Sequence, residues 1–261
     1  MKIIVINLDR AKERMDFQCQ QLDRLGLNFS RLSADCDSHN ANFEKFQYNW
    51  HRPLSYSEIS VFFNHKKIWE MIIQENTPIL ILEDDAFLAD DTPELLKKIE
   101  RLKNLDYLNI EARGNKQKKL LANVADYHFD QTALFRLYQG RSGAGGYVLW
   151  PEGAKKLLAL TAQGKIGIVD KFINSVYSLN AYQLEPAILI QLDMCESYGL
   201  TAPLKTQTSI DAKIRNSDNI LASIKYKLRR LKGESKIAIN ILRHFYNTEK
   251  RALKISDKFK C

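Results

Sequence analysis

The sequence predicts an α/β fold, an open, Rossmann-type, mostly parallel sheet with helices on both sides. Three observations carry this. The β-branched apolar run KIIVINL at residues 2–8 is followed at once by a helical pattern, the run ILIL at residues 79–82 ends in carboxylates, and strand and helix signals alternate to about residue 192. With 261 residues, 45% of them hydrophobic and 27% charged, the chain can bury one sizeable core.

In order, residues 2–8 read as a buried strand ended by Asn7-Leu8-Asp9-Arg10. Residues 11–25 read as a helix, with Met15, Leu22 and Leu25 at apolar positions and Gly26 as its stop. Residues 29–32 fit a second strand. From Ser55 or Ser57, with Ser57 as a possible cap, Ile59, Phe62, Phe63, Ile68, Trp69 and Ile72 recur at helical intervals to about Gln74, before Pro78. The run at 79–82 has no polar alternation, the mark of a central strand covered on both faces. Thr92-Pro93-Glu94 opens a helix to about Lys103. Strands are expected near 106–110, 133–138, 146–150 and 187–192, and helices over 153–162 and 171–178.

Charge divides the chain. Residues 211–261 hold 14 Lys and Arg against 5 Asp and Glu, so that of totals of 39 and 31 the upstream part keeps 25 and 26. The expected division is therefore a main domain, 1–205, and a basic helical C-terminal appendage, 206–261, with amphipathic helices over 217–231 and 234–253. A neutral body with a cationic tail argues against a nucleic-acid binder and for a tail that touches an anionic membrane surface, a helical hairpin or a dimer contact being the plainer readings. Cys19, Cys36, Cys195 and Cys261 lack metal or disulfide spacing and are expected as reduced thiols. No run approaches the roughly 18 apolar residues of a membrane span, and the N-terminal run is too short for a signal-peptide core, so a cytoplasmic location, peripheral on the membrane, is expected.

The strongest chemical signal is Glu83-Asp84-Asp85. Three carboxylates at the carboxyl end of a buried strand repel one another unless something positive sits among them, and a divalent cation answers that need; a solvated acidic turn is the plain alternative. Asp170, after the run at 166–169, is the leading general-base candidate or else a helix cap, with Asp193 and Glu111 also following apolar runs. Arg10 and Arg14, four apart, would share a helix face and reach a diphosphate, or pair with Asp9 and Glu13. Glu58 and His65, seven apart, share another face, where they would meet an acceptor or brace the site; Trp69 fits the core or a sugar platform. Gly143, Gly145 and Gly146 permit close approach of backbone to a ligand, or a tight turn.

These segments are more telling together. Asn7-Leu8-Asp9-Arg10-Ala11-Lys12-Glu13-Arg14, then Arg52-Pro53-Leu54-Ser55-Tyr56-Ser57-Glu58-Ile59 with His65 and Trp69, then Ile81-Leu82-Glu83-Asp84-Asp85, then Gly143-Ala144-Gly145-Gly146-Tyr147-Val148, Ala154-Lys155-Lys156-Leu157-Leu158 and Val169-Asp170 resemble, in order over about residues 1–200, glycosyltransferase family 25, the lipooligosaccharide-biosynthesis transferases. It departs at Asn64, where the family usually has Ser, and at Ala144-Gly145-Gly146, where Thr-Ala-Gly is commoner. The resemblance implies a GT-A-like fold and an inverting, metal-dependent transfer, most often of galactose from UDP-galactose in β-linkage to a lipooligosaccharide or other saccharide. It further implies a Mn²⁺ or Mg²⁺ ion at Glu83, Asp84 and Asp85, and a nucleotide bordered by Asn7, Leu8, Arg10 and Arg14, with Gly145 and Gly146 nearby; Asp170 and Glu58 are the catalytic candidates. A metal-dependent phosphohydrolase would instead release orthophosphate with no acceptor present. A basic nucleic-acid-binding module using Tyr226, Phe245 and Tyr246 would not need the carboxylates.

Overall fold

The computed structural model describes residues 1–34, 46, 52–114, 117–141, 143–205, 228, 231, 233–235 and 238–260. A nine-stranded sheet runs through it, built from edge to edge of residues 248–252, 118–129, 132–139, 181–185, 107–109, 146–149, 79–83, 2–7 and 30–33. Its first half grows from the expected strand and helix: β1 (Lys2–Asn7), α1 (Lys12–Arg24) and β2 (Ser30–Ser33). Gly26, at φ +64°, turns the chain after α1 in a conformation that costs other residues more. Helix α2 (Tyr56–Glu75) follows, and Ser55 rather than Ser57 is its cap, accepting from Glu58 N while the Glu58 side chain reaches back to Ser55 N. Strand β3 (Ile79–Glu83) then lies parallel to β1, and β1 parallel to β2.

Beyond β3 the sheet is mixed. Strands β5 (Tyr107–Asn109) and β8 (Gly146–Leu149) pair antiparallel, as do β8 and β3, while β9 (Ala181–Glu185) lies parallel to β5. The long strands β6 (Lys118–Phe129) and β7 (Thr132–Gln139) form a hairpin on β9. By direction, β1, β2, β3, β5, β6 and β9 point one way and β7, β8 and β11 (Thr248–Ala252) the other, so the α/β class holds and the parallel bias lies in direction rather than in neighbouring pairs. A small second sheet joins β4 (Ala86–Leu88) to β10 (Leu189–Gln191).

Helices α3 (Thr92–Ile99), α4 (Pro151–Ala162) and α5 (Val169–Asn174) follow along the chain. Helix α2 packs on α4 and α5, with Phe62, Trp69 and Phe172 stacked edge and face at 4.9–6.0 Å. Ile79–Leu82 are wholly buried, as a strand covered on both faces must be.

The tail departs from expectation. Residues 238–244 are helical, but Thr248–Ala252, expected within a helix, form β11, paired antiparallel with β6. The pattern TEKRA is too polar to announce a strand; its state is set by the partner edge it closes. After it, Ser256 N donates to Ala187 O and Phe259 packs on Phe87 at 5.3 Å, so the chain's end is part of the core. The helix expected at 217–231 falls almost entirely outside the described residues. Among the described residues no helix is long and apolar enough to cross a membrane.

Candidate active site

Strand register assembles the site. The parallel pairing of Ile6 with Glu83 sets Asn7, the last residue of β1, beside Asp84, the first past β3, and Asn7 Nδ2 donates to Asp84 Oδ2 at 2.8 Å. The antiparallel pairing of Leu82 with Gly146 sets Gly145 opposite Glu83, whose N–H donates to Gly145 O at 2.9 Å. The crevice past the ends of parallel strands is where α/β sheets bind ligands.

The three carboxylates then part company. Asp84 is buried and accepts from Arg14 Nη1 at 3.0 Å as well as from Asn7; burial and Glu83 raise its pKa while Arg14 and Asn7 oppose the rise. Glu83 stays partly exposed between two nitrogens, His65 Nε2 at 3.5 Å from Oε1 and Gln191 Nε2 at 3.4 Å from Oε2. Asp85 has a buried Oδ1 with no hydrogen-bond partner. Burial first, then Glu83, Asp84 and Asp193, push its pKa up to about 8 against the pull of Arg14. Among the described residues, no group of three or more His, Cys, Asp or Glu side chains is drawn together as a metal cage.

The nucleotide-side candidates sort similarly. Asn7 and Arg14 belong to the cluster. Arg10 is exposed and precedes α1, which begins at Lys12, so Arg10 and Arg14 do not share a helix face as the spacing suggested. Leu8 is half-buried and closes the turn by accepting from Ala11 N at 2.9 Å. Gly145 and Gly146 are packed against the second sheet: a Cβ would stand 2.6 Å from Gln191 Nε2 at Gly145 and 2.1 Å from Leu189 Cδ1 at Gly146.

The two catalytic candidates lie in other settings. Both oxygens of Glu58 are held by Arg52, and one also by Ser55 N, so Glu58 braces the start of α2 as an ionised carboxylate; burial would raise its pKa, but Arg52 and Ser55 hold it below the usual value. Asp170 is the second residue of α5, whose cap position is Ile168, so it is not the cap; its Oδ1 accepts from Lys171 N at 2.7 Å.

Two participants, Gln18 and Gln21, carried too little sequence signal to be chosen, and a third, Glu111, was expected only as an alternative base. Gln18 and Gln21, buried on the face of α1 that carries Arg14, hold the turn after β3: Gln18 donates to Ala86 O at 2.8 Å, and Gln21 donates to the same oxygen at 3.0 Å while accepting from Leu88 N at 2.7 Å. Their spacing from Arg14, four and seven residues, is the signal that was there to read. Glu111, wholly buried, accepts from Gly145 N at 2.9 Å, and its pKa is pushed to about 8 by burial, with Glu83 and Asp85 adding to the rise against Lys119 and Arg113. Gly143, at φ +90°, leaves it room, since a Cβ there would lie 2.5 Å from the Glu111 carboxyl.

A carboxylate cluster at the ends of β1 and β3, reached from the first loop, is a setting that attracts a cation. Comparison with known proteins decides the family: the model for "Glycosyltransferase family 25 (LPS biosynthesis protein)" matches residues 1–173. The chain belongs to glycosyltransferase family 25. Its curated relatives include human procollagen galactosyltransferase 2, 26% identical over 254 residues, covering 80% of this chain and 38% of the relative. A glycosyltransferase 25 family member of Drosophila melanogaster is 27% identical over 188 residues, 66% and 30% of the two chains. The family 25 chain thus spans well under half the length of these relatives. Among solved structures, a Drosophila galactosyltransferase 7 mutant in complex with manganese, UDP-Gal and xylobiose aligns with a TM-score of 0.39 and 12% identity, over 84% of this chain and 81% of that one.

Proposed function

We propose that this family 25 chain transfers a sugar, galactose from UDP-galactose, to a saccharide hydroxyl with inversion, and that Glu83 and Asp85 hold the divalent cation of the donor site. The observation that carries the reading is Asp85: a carboxylate with a buried, unpartnered oxygen beside Glu83 and Asp193, at the open ends of β1 and β3, needs a cation to ionise at neutral pH. When bound, Mn²⁺ or Mg²⁺ would neutralise charge on the departing diphosphate.

The chain's own residues supply the rest. Asp84, tied to Arg14 and Asn7, couples the first loop to the acidic turn rather than serving the ion with both oxygens. Arg10, exposed in that loop, would meet phosphate oxygens. The acceptor's proton goes to a carboxylate, for which Asp170 and Asp193 are to be compared. A lipooligosaccharide acceptor at a cytoplasmic membrane face belongs to the same reading; Leu242, Phe245 and Tyr246, exposed beside Arg243 and Lys250, suit contact with an anionic bilayer.

A panel of nucleotide sugars, each scored for thermal stabilisation with and without Mn²⁺, tests donor and metal together. The expected result is stabilisation by UDP-galactose that depends on Mn²⁺; stabilisation indifferent to the metal, or shared equally by all sugars, refutes it.

A further inference from the structure

Three motif residues that have no contact with one another in sequence meet at a single hydroxyl. His65 and Trp69 stand four apart on α2, one turn along the same face, and both reach Tyr147 on β8. Trp69 Nε1 donates to Tyr147 OH at 2.9 Å, and His65 Nδ1 lies 2.9 Å from the same oxygen. All three side chains are buried, so water is not at hand to complete the pattern.

The donor inventory then leaves one arrangement that satisfies every group. An indole N–H only donates, so the Tyr147 oxygen accepts from Trp69. The hydroxyl hydrogen of Tyr147 is thereby left for His65 Nδ1, which must accept it. The imidazole's own hydrogen must then sit on Nε2, the atom that faces Glu83 Oε1 at 3.5 Å and has no other partner. The gap is long for a hydrogen bond and closes with a small movement of the glutamate.

We propose that Trp69 and Tyr147 hold His65 in the tautomer whose Nε2–H points at Glu83, and that His65 is thereby a positioning residue that orients the Glu83 carboxylate for the donor's cation. The second half rests on the donor reading above; the first does not. Outer partners of a metal-binding carboxylate matter to affinity by about 10- to 100-fold.

Two measurements on the full chain test it. Long-range ¹H–¹⁵N NMR of the histidine rings, with His65 assigned by the signals lost in His65→Gln, reads the tautomer directly. The hydrogen is expected on Nε2 alone; a hydrogen on Nδ1 overturns the relay whatever the protein binds. Calorimetry with Mn²⁺ plus UDP then compares two variants whose folding is checked by melting. His65→Gln keeps an amide donor near the Nε2 position and is expected to bind within about threefold of the parent, whereas His65→Leu is expected to lose about 10-fold or more. Equal losses in the two overturn the positioning role. If the parent chain itself binds neither Mn²⁺ nor UDP, the donor reading and the role at Glu83 fall together, while the NMR result still decides the tautomer.

Discussion

The two ends of the sheet are built on opposite terms. Where β1, β3 and β8 meet the acidic turn, Asp85 Oδ1, Glu111 Oε1 and His65 Nε2 are buried without a hydrogen-bond partner. At the far edge, where β6, β7, β9 and β11 pair, the buried carboxylate is matched: Glu185 accepts from Lys254 N at 3.0 Å and pairs with Arg251, the unpartnered atoms there, Gln139 Oε1 and Arg141 Nε, being no carboxylates. A lone buried carboxyl oxygen opposes folding, whereas a paired one does not. The acidic end is therefore arranged for something that arrives later, and the far edge for the folded state alone. Substitutions should separate the two: at the first end function is lost with stability kept or gained, and at the second stability falls with function intact.

The largest effect belongs to the acidic end. Asp85→Ala is expected to lower turnover by about 10²- to 10³-fold, the usual consequence of removing a group that organises charge at a reacting centre. Its melting temperature without metal should not fall. A variant that is unstable yet retains its turnover would break the comparison. Next comes the small second sheet beside that turn, where Phe259, packed on Phe87 of β4, is expected to cost about 3 kcal/mol when replaced by alanine. Urea unfolding measures it.

The same division governs what could be read from the sequence. The strand at the start, helix α2 and the run at 79–82 with carboxylates at its end were legible, because apolar periodicity and carboxylates at a strand end are local signals. At the far edge only β7 was. Strand β6 mixes polar and apolar residues with register shifts against β7, and β11 reads TEKRA, so both depend on the partner strand rather than on their own propensity. At the site, Gln18, Gln21 and Gln191 escaped notice, and Glu111 and Tyr147 were met only as an alternative base and a motif residue, for a related reason: each makes a hydrogen bond with a residue 34 to 108 positions away, a partner that no local pattern names.

A third expectation concerns pH. The Asp85 carboxyl has its pKa raised by burial, and by Glu83 and Asp84, from 3.8 to about 8 in the folded chain. Between those values the unfolded chain gives up the proton and the folded one keeps it, so the unfolded state binds fewer protons and stability declines as pH rises from about 4 to about 8. In the presence of a chelator, Asp85→Asn should flatten this decline and gain about 2 kcal/mol at pH 8. Adding Mn²⁺ to the parent chain should flatten it too; a parent whose stability is level over this range with metal removed would show that the turn carries no such strain.

The smallest effect sharpens the contrast most, because it asks whether the far edge influences the site at all. Arg251 pairs with Glu185 and Glu249 and lies over the Phe135 ring at 4.7 Å, so its side chain joins β11 to β9 and β7 across the sheet. Arg251→Ala removes that contact and leaves Glu185, which is 6% exposed, with the Lys254 N–H as its remaining donor. The loss should be about 1–2 kcal/mol, more than an exposed ion pair contributes and less than a wholly buried one. Arg251→Lys keeps the charge but not the planar group that both pairs and stacks, and should recover at most half of it. Neither variant should alter Mn²⁺-dependent binding of UDP. A change of more than about threefold there would mean that strain passes along β9 and β5 to the acidic turn, and that the two ends of the sheet are one coupled unit.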